Sequence, residues 1–161
     1  MKRVIYIILI LSCAGTLSAQ KRKNIQIHRI KTITVSDQDL EKGNGSAVKE
    51  SISRYDELGN FIELFEYDSK GNEKTHESYE YDENGNKVKE IHYKSNNVKD
   101  KVIEYTYDDD GNKIKEVHYK ANMIKDKVIE YIYNDGLKNE RIVYYPNGKV
   151  KSKKKYVYEF Q

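Results

Sequence analysis

The sequence predicts an all-β protein, an open and twisted antiparallel β-meander of about ten strands built from two-strand repeats of 26 residues. Residues 81–106 and 107–132 align without a gap and are identical at 18 of 26 positions. Each period contains two segments in which Ile, Val and Tyr alternate with Lys, Glu and His, the pattern of strands whose two faces differ. Turn residues recur about every 13 residues, so successive turns are expected at opposite ends of the strands.

The period extends over about four repeats, which is the sequence signature of a repeat architecture. Glycines keep the 26-residue step at Gly59, Gly85 and Gly111, and Gly136 comes one residue early. Two series of tyrosines keep the same step: Tyr55, Tyr81, Tyr107 and Tyr133, and Tyr67, Tyr93, Tyr119 and Tyr145.

The composition excludes several classes of protein. The chain has 161 residues, of which 34% are charged, with one Cys and one Pro and no Trp. The length predicts a single domain, and the cysteine count excludes a disulfide scaffold. From Gln20 onward 27 basic residues face 26 acidic ones, so the composition excludes a strongly basic nucleic-acid binder. Fourteen tyrosines in this part argue against disorder.

Residues 1–19 have the pattern of a secretory signal peptide. Lys2 and Arg3 precede an apolar run over residues 4–11, and small residues lead to Ala19. We therefore expect an exported protein in the periplasm, at the cell surface or outside the cell, without a transmembrane segment once the signal is removed. Residues 10–13 also resemble a bacterial lipobox, so cleavage after Ala19 and lipidation of Cys13 remain alternatives. In either case no free thiol is left for catalysis or metal binding.

Residues 20–45 are predicted to form an N-terminal strand, Ile25–Val35, followed by a linker. The linker spans Ser36–Ser46 and contains the flexible sequence Gly43-Asn44-Gly45. Residues 46–161 are then the repeat domain.

The turns are predicted to be three-residue loops such as Asp109-Asp110-Gly111, a type I turn with glycine in the left-handed conformation. An odd loop length keeps the odd-numbered tyrosines of successive strands on one face. At the last hairpin, a two-residue Asn147-Gly148 turn is predicted, which brings the even-numbered Tyr156, Tyr158 and Phe160 to that same face.

The odd-numbered face is the candidate binding face. Its predicted register places Lys113 opposite Tyr107, Lys115 opposite Tyr105 and Lys89 opposite Tyr79, so that lysine stems lie along tyrosine rings. Such a tyrosine layer replaces a core in a sheet with few aliphatic residues, and it also offers a platform for sugar rings or a protein partner. The candidate residues are Tyr79, Tyr81, Tyr93, Tyr105, Tyr107, Tyr119, Tyr131 and Tyr133.

The even-numbered face carries histidines and glutamates. With symmetric loops His92 is expected opposite Glu104, and His118 opposite Glu130, while Glu104 and Glu116 form an unfavourable like-charge pair. Because His92 and His118 lie two strands apart, ~10 Å, they are too distant to share one ion. We therefore predict a solvated face with weak ion pairs and without a metal site or cofactor, and a transition-metal site remains the alternative.

The last strand is crowded with lysines from Lys149 to Lys155, which predicts an edge strand protected against pairing with other chains. No Ser-His-Asp arrangement and no glycine-rich phosphate loop occurs in the sequence. These observations predict a protein that is not an enzyme.

Four segments share the pattern Tyr-Asp-x-x-Gly-Asn: Tyr55–Asn60, Tyr67–Asn72, Tyr81–Asn86 and Tyr107–Asn112. They resemble the YD repeats of the RHS family, and Tyr144–Lys149 is similar to a MORN-variant repeat. The resemblance covers about residues 46–161. It implies β-hairpin architecture, an extracytoplasmic role and carbohydrate binding, although the chain has too few strands to enclose a cargo as RHS shells do.

The function predicted from these observations is that of a non-enzymatic exported repeat protein, a cell-envelope binding or scaffold module for a carbohydrate or protein partner. An antitoxin-like or immunity-like role, implied by the MORN-variant resemblance, is one alternative. A metal-dependent enzyme that uses the histidine–glutamate face is another.

Overall fold

The computed structural model describes residues 16–38 and 46–161, and these form one open antiparallel sheet whose ten strands follow the order of the sequence. The predicted meander is confirmed. The elements are α1 (Thr16–Ile27), β1 (Thr32–Asp37), β2 (Val48–Tyr55), β3 (Phe61–Tyr67), β4 (Glu73–Tyr81), β5 (Lys87–Lys94), a 3₁₀ turn (Ser95–Asn97), β6 (Val98–Tyr107), β7 (Lys113–Lys120), β8 (Lys125–Asn134), β9 (Leu137–Tyr144) and β10 (Val150–Lys155).

The sheet has a thin apolar midline on each face instead of a core between two layers. Val102 is fully buried, and Ile91, its partner across β5 and β6, is buried beside it. Ile103 and Ile129 are buried on the other face. Most other side chains of the sheet are only partly covered, so long lysine and tyrosine side chains supply much of the apolar contact.

The Tyr-Asp-x-x-Gly-Asn motif forms the predicted three-residue loop. In the turn Tyr107–Asn112, the Asp108 N–H donates to the Asn112 carbonyl at 3.0 Å, and the Gly111 N–H donates to the Asp108 carbonyl at 3.0 Å. Gly111 has φ +79°, the left-handed conformation that favours glycine. The Asp108 carboxylate accepts bonds from the backbone and side-chain amides of Asn112, at 2.7 and 3.1 Å, which explains the Asp and Asn of the motif.

A β-bulge follows each of these loops, and because of it the observed strand register differs from the predicted one. Tyr107 pairs with Lys113 as predicted, but Ile114 is left without a partner, and Thr106 pairs with Lys115. Tyr105 therefore pairs with Glu116, whereas the sequence predicted Lys115. Similarly, Tyr79 pairs with Glu90, whereas Lys89 was predicted. The extra residue of a bulge reverses the alternation of faces along the strand.

As a result, the predicted tyrosine face is divided between the two sides of the sheet. We define the front face as the side that carries Tyr105, and the back face as the opposite side. Following the register, Tyr79, Tyr81, Tyr105, Tyr107, Tyr131 and Tyr133 lie on the front face. Tyr93 and Tyr119 lie on the back face, so the prediction that they share a face with Tyr105 was wrong.

The last two hairpins differ from the sequence prediction in length. Asp135 and Gly136 form a two-residue turn in which both residues have positive φ. This turn is one residue shorter than the corresponding turn after Tyr107. For this reason Tyr144, and not Tyr145, takes the position of Tyr119.

The final turn has three residues, because the Tyr145 N–H donates to the Lys149 carbonyl and the Gly148 N–H donates to the Tyr145 carbonyl. The predicted two-residue Asn147-Gly148 turn was therefore wrong. A bulge at Lys151 nevertheless brings Tyr156 to the front face, where the Lys138 ammonium contacts it.

The N-terminal part of the described chain begins with a helix, although a strand over Ile25–Val35 was predicted. Helix α1 ends at Ile27, and β1 begins at Thr32 and pairs with β2. Ile25 is buried, and Arg22 Nε donates to the Leu58 carbonyl at 3.2 Å, so α1 docks on the β2–β3 turn. Contact with the sheet, which local alternation cannot reveal, selects the helix here.

Residues 1–15, with the predicted lipidation site Cys13, and residues 39–45 of the linker lie outside the described residues. Within the part of the chain that the structure describes, α1 is too short and too polar to cross a membrane.

Candidate functional site

The front face carries a ladder in which tyrosines from even-numbered strands alternate with lysines from odd-numbered strands. The Lys87 ammonium lies 5.0 Å from the ring centre of Tyr79 and 5.2 Å from that of Tyr105. The Lys113 ammonium lies 5.0 Å from Tyr105 and 5.4 Å from Tyr131. We define this ladder as Tyr79, Lys87, Tyr105, Lys113, Tyr131, Lys138 and Tyr156.

The bulges place the lysines in the ladder. Lys113 is the first residue of β7 and shares the front face with Glu116, three residues later, because the bulge lies between them. Its ammonium therefore reaches Glu116 at 2.6 Å while its stem passes between two rings. In a regular strand, residues three apart lie on opposite faces.

Two glutamates beneath the ladder bind the polar ends of its members. Glu90 accepts hydrogen bonds from Lys87 at 2.5 Å and from Tyr105 at 2.8 Å, and His92 Nε2 lies 2.5 Å from its other oxygen. Burial alone would raise the pKa of Glu90, but these donors and the lysine charge outweigh it and lower the pKa to about 2.

Glu116 repeats this arrangement one period later. It accepts bonds from Lys113 at 2.6 Å and from Tyr131 at 2.8 Å, and His118 Nε2 lies 2.9 Å away. Its side chain is buried, which opposes ionisation, yet the hydrogen bonds from these three partners hold its pKa far below the ordinary value.

The hydroxyls of Tyr105 and Tyr131 remain protonated and act as donors. Burial, together with the hydrogen bond to Glu116, raises the pKa of Tyr131 to about 12. Burial and the hydrogen bond to Glu90 likewise raise the pKa of Tyr105. The hydroxyls of Tyr105 and Tyr131 therefore anchor their rings to Glu90 and Glu116 of the sheet.

The front-face tyrosines beside the turns tie neighbouring strands together. The Tyr107 hydroxyl donates to the Lys87 carbonyl at 2.8 Å, and the Tyr81 hydroxyl donates to the Phe61 carbonyl at 2.8 Å. Tyr133 and Tyr158 make the same bond to Lys113 and Lys138. Each of these hydroxyls donates to the carbonyl of the residue 20 positions earlier. This bond explains the tyrosine of the turn motif at Tyr81 and Tyr107.

The ladder limits what the rings can bind. Lys87 and Lys113 lie over Tyr105, and Lys113 and Lys138 lie over Tyr131. Because these ammonium groups cover the ring faces, a sugar ring cannot stack on them without displacing a lysine. The ring edges and the lysine stems are the parts that face outward.

His92 and His118 lie on the front face beside the ladder, and their predicted partners do not. His92 pairs across the strands with Glu77 and Lys101, and His118 pairs with Lys127. Glu104 and Glu130 lie on the back face, opposite Lys89 and Lys115, so the predicted pairs and the Glu104–Glu116 repulsion were wrong.

Glu77, Glu90 and His92 are the described residues whose ligand atoms come close enough to hold a metal ion, within 4.8 Å of one another. Sequence reasoning missed Glu77, because only the register places it opposite His92. His92 Nδ1 lies 2.9 Å from Glu77, and Glu90 already accepts bonds from Lys87 and Tyr105. A metal would have to displace these donors, so the arrangement favours an ion-pair network.

The back face has its own ring contacts. His76 is stacked between Phe65 and Tyr93, with ring centres 4.1 and 4.2 Å away, and His76 Nε2 lies 3.0 Å from Glu63. Tyr119 donates to Glu104 at 3.0 Å. Tyr93 and Tyr119 therefore reinforce the back face and take no part in the ladder.

No protein family and no curated protein matches the sequence. Among solved structures, the crystal structure of TarM aligns with 86% of this chain at 12% sequence identity and a TM-score of 0.33. This chain spans 24% of the TarM chain. Neither the fold nor the proposed function rests on this likeness.

Proposed function

We propose that this protein is a non-enzymatic exported repeat module that binds a protein partner in the cell envelope with its front face. The ladder from Tyr79 to Tyr156 carries this proposal. Export is proposed from the signal-like residues 1–19.

The ladder favours binding because its side chains are already ordered. The hydroxyls of Tyr105 and Tyr131 and the ammonium groups of Lys87 and Lys113 are held by Glu90 and Glu116, so a partner would not have to immobilise them. Preorganisation of this kind reduces the entropy cost of association. Tyrosine is also among the residues that contribute most to protein interfaces.

A protein partner is favoured over a carbohydrate because lysines cover the ring faces of Tyr105 and Tyr131. Aromatic stacking on a sugar needs an open ring face, whereas a protein surface can pack against ring edges and lysine stems. A carbohydrate partner is therefore the second candidate.

The test is co-sedimentation of the purified protein with isolated cell-envelope fractions. A Tyr105→Ala and Tyr131→Ala double variant should lose at least about tenfold in affinity, as expected for removal of central interface residues. The matched control is Tyr119→Ala with Tyr93→Ala, because it also removes two ring-to-polar hydrogen bonds, but from the back face. Circular dichroism establishes that both variants are folded.

Equal loss of binding in both double variants, or full retention in the front-face variant, would reject the front face as the binding surface. Treating the envelope fraction with protease beforehand separates the partner classes. Binding that survives protease and appears on a glycan array would make the partner a carbohydrate.

A further inference from the structure

The two rims of the sheet carry opposite charge. We define the acidic rim as the turn segments 56–60, 82–86, 108–112 and 134–137, which lie at one end of the strands. These segments contain eight carboxylates and no lysine or arginine. The carboxylates are Asp56, Glu57, Asp82, Glu83, Asp108, Asp109, Asp110 and Asp135.

We define the basic rim as the segments 94–101, 120–127 and 145–151 at the opposite end of the strands. These segments contain eight lysines and two aspartates. The lysines are Lys94, Lys99, Lys101, Lys120, Lys125, Lys127, Lys149 and Lys151. The two rims are about 25–30 Å apart, because strands β4 to β9 have eight to ten residues each at ~3.3 Å per residue.

The lysines of the basic rim are mostly not neutralised by the protein. Lys94 pairs with Asp100 at 3.0 Å, and the other seven form no ion pair with any residue in the described ranges. Lys101 lies directly opposite Lys120, a like-charge pair that destabilises a sheet. By contrast, Lys87, Lys89, Lys113 and Lys115 within the sheet all pair with glutamates.

Large apolar side chains project from the same rim. They are between 46% and 58% exposed, and they lie in or next to the loops, among the lysines: Val98, Met123, Ile124, Tyr145 and Val150. Met123 has φ +61° in its loop, and about half of its side chain is exposed. Exposed apolar residues surrounded by lysines are typical of a surface that enters the interface of a membrane.

We propose that the basic rim docks on an anionic lipid membrane, with Val98, Met123 and Ile124 in the headgroup region and the lysines against the lipid charges. Anionic lipid attracts surface lysines, and shallow burial of apolar loop side chains adds to this attraction. A soluble polyanion would use the lysines but gains nothing from the exposed apolar residues, which is why a membrane is favoured.

The opposite charges of the rims would also fix the orientation of the sheet on the membrane. An anionic surface attracts the basic rim and repels the acidic turns 108–112 and 134–137, whereas Arg22 of α1 lies beside Gly59 and Gly85 in the other two acidic turns. The strands would therefore stand roughly perpendicular to the membrane. Both faces of the sheet then remain open. The ladder would stay available to its partner, and the two interactions are independent.

The test is flotation of the purified protein with vesicles of phosphatidylcholine alone and of phosphatidylcholine with phosphatidylglycerol in equal parts. We expect binding to the anionic vesicles only. A Lys120→Gln, Lys125→Gln and Lys127→Gln variant should lose on the order of a hundredfold in partitioning. A Met123→Asn and Ile124→Asn variant should lose about tenfold, and asparagine also suits the positive φ at position 123.

The matched controls lie outside the basic-rim segments, one at the acidic rim and one at the β3–β4 turn, which is at the same end of the strands as the basic rim. Leu58→Asn removes an equally exposed apolar residue from the acidic rim, and Lys70→Gln with Lys74→Gln removes two lysines from the β3–β4 turn, where acidic residues balance them. Both controls should bind anionic vesicles as the unchanged protein does, and so should the Tyr105→Ala and Tyr131→Ala variant. The last result separates failure of the membrane proposal from failure of the proposed function.

Three outcomes would overturn the proposal. Equal binding to neutral vesicles would show that charge does not direct the contact. Absence of binding to anionic vesicles would exclude the membrane. Binding to dextran sulfate that is unaffected by Met123→Asn and Ile124→Asn, without flotation on vesicles, would identify the basic rim as a site for a soluble polyanion.

Discussion

Glu90 and Glu116 are the residues on which the front face depends most. Each binds a lysine, a tyrosine and a histidine, and each accepts these bonds within a partly or fully buried environment. A buried carboxylate with several donors is stabilised in its charged form. Protonation of either glutamate would therefore leave a lysine ammonium without its counter-charge.

The stability of the protein should fall in acid because of these two groups. The pKa of Glu90 is about 2 in the folded protein and 4.5 ordinarily, and that of Glu116 is shifted in the same direction. The unfolded state then takes up protons first as the pH falls, so the stabilising contribution is present above pH 4.5 and is lost towards pH 2. We expect a loss of about 3 kcal/mol from Glu90.

Urea denaturation at several pH values measures this effect. A Glu90→Gln and Glu116→Gln variant should be less stable at neutral pH. Its free energy of unfolding should change much less with pH below pH 4.5. The turn aspartates Asp68 and Asp82 also have lowered pKa values, because the side chains of Asn72 and Asn86 donate to them, so some slope remains. If the free energy of unfolding of the variant fell with pH as steeply as that of the unchanged protein, Glu90 and Glu116 would not be the source of the acid sensitivity.

At the scale of the element, a turn and the bulge that follows it form one unit. The three-residue loop ends at Gly111, and Ile114 is the unpaired residue of the bulge. The three loop residues and the one bulge residue make an even number, so Tyr105 and Tyr119 lie on opposite faces. Loop length can be read from Asp and Gly positions, but a bulge has no comparable residue signal.

The glycines of the acidic rim allow a test of the docking of α1. Gly59 and Gly111 have φ of +76° and +79°, so alanine at either position costs about 1 kcal/mol in backbone strain. A Cβ at Gly59 would also lie 2.7 Å from the Arg22 carbonyl of α1, whereas a Cβ at Gly111 meets open space. Gly59→Ala should therefore destabilise the protein by at least about 1 kcal/mol more than Gly111→Ala.

The free energy of unfolding in urea gives the comparison, with Gly111→Ala as the control. Limited proteolysis should also cleave α1 faster in Gly59→Ala than in Gly111→Ala. Equal stabilities and equal cleavage rates would mean that α1 does not rest on the β2–β3 turn in solution.

At the scale of the whole molecule, the sheet is a one-dimensional stack in which each strand contacts its sequence neighbours. Stability in such proteins is close to a sum of repeat and neighbour contributions. Residues 107–132 carry one complete period, with its own ladder members Lys113 and Tyr131 and its own glutamate, Glu116. The charge of each rim also comes from turns of similar composition that recur in successive repeats.

Deletion of residues 107–132 should therefore leave a folded, shorter sheet. Thr106 would be joined to Tyr133, which occupies the position of Tyr107 one period later, so the faces and the ladder remain in phase. We expect a strand-type circular dichroism spectrum, cooperative unfolding and a lower urea midpoint. Deletion of residues 107–119, about one strand and turn, interrupts the period and should abolish cooperative unfolding.

The sequence by itself determined the period, the antiparallel meander and the three-residue turns, because each depends on local patterns such as Tyr-Asp-x-x-Gly-Asn. The tertiary structure decided which side chains meet. The bulges moved Tyr93 and Tyr119 to the back face and brought Glu77 beside His92. Contact with the sheet made residues 16–27 a helix. The physical reason is that a bulge or a docked helix is stabilised by neighbouring strands, and these become neighbours only when the chain has folded.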